Sequence, residues 1–161
     1  MEEREQKQKK EPEIGLQIHR LDHTISKRLR CGVAKAGVDE VSFMHGWLLR
    51  YLYENDENSI YQKDIEYYFS MGRSSVTGTL KALERLGYVY RESVENDARL
   101  KRVRLTEKGR KTHETLQSVI DGLDKQLVRG IGKEDIATFL AVAEKIRMNI
   151  EQECRKKEEK G

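Results

Sequence analysis

The stretch YQKDIEYYFSMGRSSVTGTLKALERLGYVYRESVENDARLKRVRLT, residues 61–106, decides the fold. Just before it Ser59, with Gln62 three residues on, has capping-box spacing and predicts a short helix running to Phe69. Ser70, Met71 and Gly72 interrupt the pattern. A second helix is expected over residues 73–86, with Gly72 as its N-cap and Gly87 as its stop. A short helix, a tight turn and a longer helix make a helix-turn-helix. Residues 88–93 and 100–105 read as strands joined by the turn-rich Glu95, Asn96, Asp97 and Ala98, so a hairpin wing follows directly.

On the N-terminal side, Ile14, Ile18, Leu21, Ile25 and Leu29 recur at helical spacing and form one apolar stripe, which residues 32–37 loosen. Ser42 is the expected N-cap of a central buried helix carrying Phe43, Met44, Trp47, Leu48, Tyr51 and Leu52. On the C-terminal side, Thr106 is placed to cap a helix with Leu116, Val119, Ile120, Leu123 and Leu127. A last helix carries Ile136, Phe139, Leu140, Ala143, Ile146 and Ile150, before a solvated charge run over residues 151–161. The fold class is therefore mainly α with a small β-wing.

Charged and hydrophobic residues each make up 37% of the 161, a balance suited to amphipathic helices rather than to a thick buried sheet. The chain opens on charged residues, and no run approaches the ~18 apolar residues of a membrane span, so a cytoplasmic protein without membrane partners is expected. Cys31 and Cys154 lack paired spacing and read as reduced thiols. Net charge is only +3, but residues 72–110 hold ten basic and five acidic side chains, leaving the remainder at −2. A basic segment in an otherwise acidic chain is the footprint of a double-stranded DNA site.

On the second helix of the motif, Val76, Leu80 and Leu83 share the face that should pack inward. Arg73, Ser74, Ser75, Thr77, Gly78 and Lys81 are then the candidate DNA contacts. Arginine pairs with guanine, hydroxyls reach base edges or phosphates, and free N-terminal amides favour phosphate. Gly78 either lets the backbone approach the groove or is a weak spot costing about 1 kcal/mol relative to alanine. In the wing, Asp97 and Arg99 sit at the tip and are followed by Lys101 and Arg102; a tip arginine suits the negative potential of a narrow minor groove.

These residues resemble the multiple-antibiotic-resistance regulator (MarR) family of transcription factors. The run Arg73-Ser74-Ser75-Val76-Thr77 with Leu80, Leu83, Glu84 and Gly87 is similar to the family's recognition helix, and Asp97-Ala98-Arg99, Val103, Leu105-Thr106 and Gly109 fit its wing signature. The resemblance spans residues 14–150. It implies a homodimer held by the first and last two helices, a pseudo-palindromic operator, recognition helices in successive major grooves, and the wing arginine in the flanking minor groove. It also implies a division into a charged extension (1–13), an N-terminal dimerisation helix (14–40), a winged helix-turn-helix DNA-binding domain (41–106) and C-terminal dimerisation helices with a charged tail (107–161). Two positions depart from the family pattern: Glu66 stands where a small residue is usual, and Gly78 where a larger, often basic one is.

Regulators of this family respond to a small aromatic acid, a metal or an oxidant, so a small-molecule effector is implied. His19, His23, Trp47 and Tyr51 are the candidates for lining its crevice, with core packing the plainer reading of the two aromatics. His19 and His23 stand at i, i+4 but make an incomplete metal set, and His45 and His113 fall near, not on, the ligand positions of the family's zinc-responsive branch. Cys31 lies too late in the first helix to match the family's oxidant-sensing thiol and reads as an ordinary one. No metal site, cofactor or catalytic residue is assigned, because no nucleophile and base, phosphate loop or complete ligand set has recognisable spacing. The expectation is a DNA-binding transcriptional regulator acting as a repressor. A winged-helix protein-interaction module, an architectural DNA binder and a thiol- or metal-responsive sensor of the same fold remain the alternatives.

Overall fold

The computed structural model describes the backbone of residues 13–94 and 97–158, and within these all side chains except those of 94–100 and 153–158. The elements are α1 (Ile14–Lys35), α2 (Glu40–Met44), α3 (Gly46–Glu54), α4 (Gln62–Tyr68), α5 (Arg73–Arg85), β1 (Val89–Val94), β2 (Asp97–Leu105), α6 (Glu107–Leu127) and α7 (Lys133–Glu158). The chain separates into two compact units, one ending at Asp121 and one beginning at Gly122.

The first unit is built around α3, whose Leu48, Leu49 and Leu52 are buried with Ile60, Ile65, Val76, Leu80, Leu83, Val89, Val103, Leu105 and Leu116. The expected central helix is broken at His45 into α2 and α3. Its N-cap is Asp39, not Ser42: the Asp39 carboxylate accepts from the Ser42 amide at 3.0 Å and the Ser42 hydroxyl at 2.7 Å, and also takes the hydroxyl proton of Tyr88. Burial pushes the Asp39 carboxyl up, but these hydrogen bonds outweigh it and hold the group below the usual carboxylate range. Helix α1 continues through Gly32 to Lys35; a side chain at Gly32 would meet Val119 Cγ1 at 2.9 Å, so the glycine serves close packing of α1 on α6.

The expected capping box at Ser59 is displaced by two residues. The Tyr61 amide donates to Asp64 Oδ2 at 2.8 Å, which starts α4 at Gln62. Helix α4 ends with Ser70 at φ 49°, where Ser70 N–H donates to Tyr67 O and Met71 N–H to Glu66 O. This closes a Schellman turn with serine in the left-handed position usually taken by glycine. Helix α5 ends the same way at Gly87, φ 75°, with Tyr88 N–H on Leu83 O at 2.9 Å. The strands then pair antiparallel from Val89↔Leu105 to Ser93↔Lys101, and Tyr61 adds an isolated bridge to Arg102.

Thr106 caps α6 as expected, its hydroxyl accepting from Gly109 N–H at 3.0 Å and donating to Gly87 O at 2.7 Å. Lys108 Nζ donates to Leu86 O at 2.7 Å and lies over the Tyr88 ring. The end of α5 and the start of α6 are thereby tied together beneath the wing. In the second unit, α7 leaves Phe139, Leu140 and Ile150 exposed within this chain.

Candidate nucleic-acid interface

Helix α5 shows the two faces expected of it. Val76, Leu80 and Leu83 are 0% exposed, while Arg73, Ser74, Ser75, Gly78 and Lys81 are open to solvent and Thr77 is half-buried. A side chain at Gly78 would meet nothing within 4 Å. Gly72 provides no side-chain cap. The amides of the first turn therefore stay available to an outside acceptor, and the helix N-terminus favours an anion.

Thr77 is held from below by Gln62, whose spacing from Ser59 suggests only a cap. Gln62 Nε2 of α4 donates to Thr77 Oγ1 at 2.8 Å and to Glu66 Oε1 at 2.8 Å, and lies 3.4 Å from Arg73 O. Glu66 is thus engaged along α4 by an i, i+4 hydrogen bond from Gln62 and lines the cleft beside α5. Beside it, Tyr61, Lys63, Arg73, Arg91 and Lys101 line a cleft of about 280 Å³ between α4, α5 and the wing.

The wing separates its charges by strand alternation. Lys101 shares the face of Val103 and Leu105, extends past the buried part of that face, and reaches the cleft next to Arg73. Arg102 lies on the other face, where its guanidinium reaches Asn58 O at 3.2 Å and Glu92 at 3.7 Å. Arg104 pairs with Glu92 at 3.0 Å, and Arg110 with Asp56 at 2.5 Å. Arg102 is therefore engaged with protein partners, whereas among the described residues Lys101 has no ion-pair or hydrogen-bond partner. The side chains of Asp97 and Arg99 lie outside the described residues, as does that of Cys154; Cys31 is exposed.

A second feature of this unit is an apolar crevice of about 280 Å³ where α1, α3 and α6 meet. Val33, Phe43, Trp47 and Leu116 line it, with Arg50 and His113 as polar members. Trp47 is one of the residues lining this crevice. Tyr51 instead packs on Tyr68 and Phe69, and His19 and His23 are exposed along α1 away from it. His113 is 7% exposed and packs at a tilt on Tyr53, ring centroids 4.4 Å apart. Burial, assisted by Arg50, holds its imidazole below the usual histidine value. Among the described residues no group of three or more His, Cys, Asp or Glu is placed to hold a metal, and no helix is long and apolar enough to cross a membrane.

A solvent-facing recognition helix, its supporting helix and a hairpin wing define a winged helix-turn-helix protein. The model of the MarR family matches residues 40–100. The HTH-type transcriptional regulator YwhA of Bacillus subtilis (strain 168) is 31% identical over 138 residues, which are 81% of this chain and 95% of YwhA. YdgJ of the same organism, also an HTH-type transcriptional regulator, is 32% identical over 103 residues, 64% of this chain and 62% of its own. Among solved structures, the S. aureus MepR–DNA complex superposes with a TM-score of 0.64 at 23% identity, covering 82% of this chain and 96% of MepR. The heme sensor PefR from Streptococcus agalactiae superposes with a TM-score of 0.71 at 23% identity, covering 87% of this chain and 94% of PefR. The chain belongs to the MarR family of transcriptional regulators.

Proposed function

We propose that this protein is a homodimeric repressor that binds a pseudo-palindromic operator, with α5 in the major groove and the β1–β2 wing in the flanking minor groove. The observation that carries the reading is the division of α5: an inner face closed to solvent and an outer face on which Arg73, Ser74, Ser75, Gly78 and Lys81 are exposed. Lys101 adds a cation beside Arg73, and Arg99 at the wing tip is the residue assigned to the minor groove. MepR, which shares the fold, has been crystallised on DNA.

A second copy of the chain explains the open stripe of α1, where Ile14, Ile18 and Leu21 are 51%, 48% and 52% exposed. Burying such a stripe contributes about 25 cal/mol per Å² of apolar surface. The effector site of this reading is the α1–α3–α6 crevice. Its size and apolar walls, with the Arg50 guanidinium that pairs through Nε with Glu54 at 2.7 Å, suit a one- or two-ring aromatic carboxylate exchanging for Glu54, rather than a porphyrin such as the heme bound by PefR. Its occupation would shift α6 against α3 and so change the spacing of the two recognition helices. No catalytic residue, metal or cofactor enters this function.

Selection of bound fragments from random duplex DNA, followed by binding over a salt series, tests the reading. The expected result is a pseudo-palindrome with half-sites about one helical turn apart and a steep fall of affinity with salt. Sequence-blind or salt-insensitive binding would overturn it. In vitro transcription from a promoter carrying the selected site should fall on adding the protein and recover with the effector.

A further inference from the structure

We infer that Glu66 and Gln62 act as positioning residues that fix Thr77 as a hydrogen-bond donor toward the duplex, so that each half-site requires an acceptor at the base Thr77 faces. This rests on the placement of α5 in the major groove.

A threonine hydroxyl can donate one proton or accept, and on an unconstrained helix surface it discriminates little between base edges. Here one of its two acceptor positions is already taken, which favours donation outward. The Gln62 side chain has two ends that differ in polarity, and its neighbours decide which end faces α5. Glu66 Oε1, at 2.8 Å, belongs to a carboxylate and the Arg73 oxygen, at 3.4 Å, to a carbonyl. Both only accept, so the amide must turn its NH2 group toward them. The same NH2 group lies 2.8 Å from Thr77 Oγ1. Thr77 is thus the acceptor in that bond, and its own proton is left over. Among the described residues no group accepts that proton, and Thr77 lies on the groove side of α5 between Arg73 and Lys81.

A hydroxyl presented this way complements guanine N7 and O6, adenine N7 or thymine O4, and meets the amino group of cytosine donor to donor. The relay therefore biases an adaptable hydroxyl toward donation. The carboxylate at its inner end lies in the cleft with Lys63, Arg73, Arg91 and Lys101, whose charge offsets its repulsion of nearby phosphate.

The test is selection from random duplexes with the full-length protein and its Gln62→Leu, Glu66→Gln, Thr77→Val and Thr77→Ser variants, reading the preference at each position. Thr77→Val and Gln62→Leu should each lower discrimination at the same base pair of the half-site, by roughly tenfold. The double variant should lose no more than either single change. Thr77→Ser should keep the wild-type preference, and Glu66→Gln should relax it at that position alone. Where the selected base is adenine, whose major-groove acceptor is N7, 7-deazaadenine at that position should weaken the wild type and leave Thr77→Val unaffected. Should Gln62→Leu keep the wild-type preference, or Thr77→Val alter no single position, the relay is wrong while the groove placement stands. Failure of the wild-type protein to enrich any motif would overturn the groove placement and the relay together. Thermal unfolding of each variant separates loss of fold from loss of reading.

Discussion

A side chain at Gly109 would place its Cβ 2.1 Å from the carbonyl oxygen of Tyr88. The first turn of α6 thus lies directly against the backbone that enters the wing, and Thr106 seals the junction by bonding to both sides of it. Gly109→Ala should destabilise the protein by about 2–4 kcal/mol, because the obstacle is backbone and not a flexible side chain. Denaturant unfolding measures this; a midpoint within experimental error of wild type would show that the junction can open without cost.

Gly78 is the opposite case. With nothing within 4 Å of its missing side chain, Gly78→Ala should stabilise the fold by about 1 kcal/mol through helix propensity alone. Operator affinity should fall in the same variant, since the added methyl stands between α5 and the groove. A stabilised variant with unchanged affinity would show that the helix backbone does not approach the bases.

Asp39 joins the start of α2 to the start of the wing through Ser42 and Tyr88. Asp39→Ala removes a helix cap and strands two buried hydroxyls, and should cost about 2–3 kcal/mol. Asp39→Asn, which keeps an acceptor oxygen, should cost clearly less. Equal losses for the two variants would mean that the bonds contribute little.

His113 and His45 are both held below the ordinary histidine value of 6.5, in each case chiefly by burial. The unfolded chain therefore binds protons that the folded chain refuses, so stability is complete above pH 6.5 and declines as pH falls toward the folded values. Unfolding midpoints measured from pH 8 down to pH 5 should drop over the lower half of that range, and His113→Gln should flatten the decline. A profile identical to wild type in His113→Gln would remove this histidine as a cause.

Ser70 occupies the left-handed region without being glycine. Ser70→Gly relieves about 1–2 kcal/mol of backbone strain and adds up to about 1 kcal/mol of unfolded-state entropy, so a net gain of a few tenths to about 1 kcal/mol is expected. Thermal unfolding reports it; a loss would mean that the serine side chain stabilises the turn.

Local chemistry made much of this molecule legible in the chain itself. The i, i+4, i+7 burial of Val76, Leu80 and Leu83, the glycine stop at Gly87, the Thr106 cap and the basic stretch all depend on residues close in sequence, where periodicity and backbone sterics act directly. The helix-turn-helix, the wing and the outward face of α5 followed from those. The misplaced caps show the limit of that reading. Ser42 and Ser59 have the right chemistry, but Asp39 and the Tyr61–Asp64 pair hold the positions, and for Asp39 the deciding partner is Tyr88, far along the chain. Tertiary structure alone decided the rest. It turned Arg102 toward Asn58 and Glu92 while leaving Lys101 beside Arg73, moved Tyr51 away from the crevice, brought His113 and Arg50 to it, and set Gln62 beneath Thr77. Such placements depend on which helix packs across which, and a one-residue change of strand register or a third of a helical turn reverses them. No local pattern carries that information.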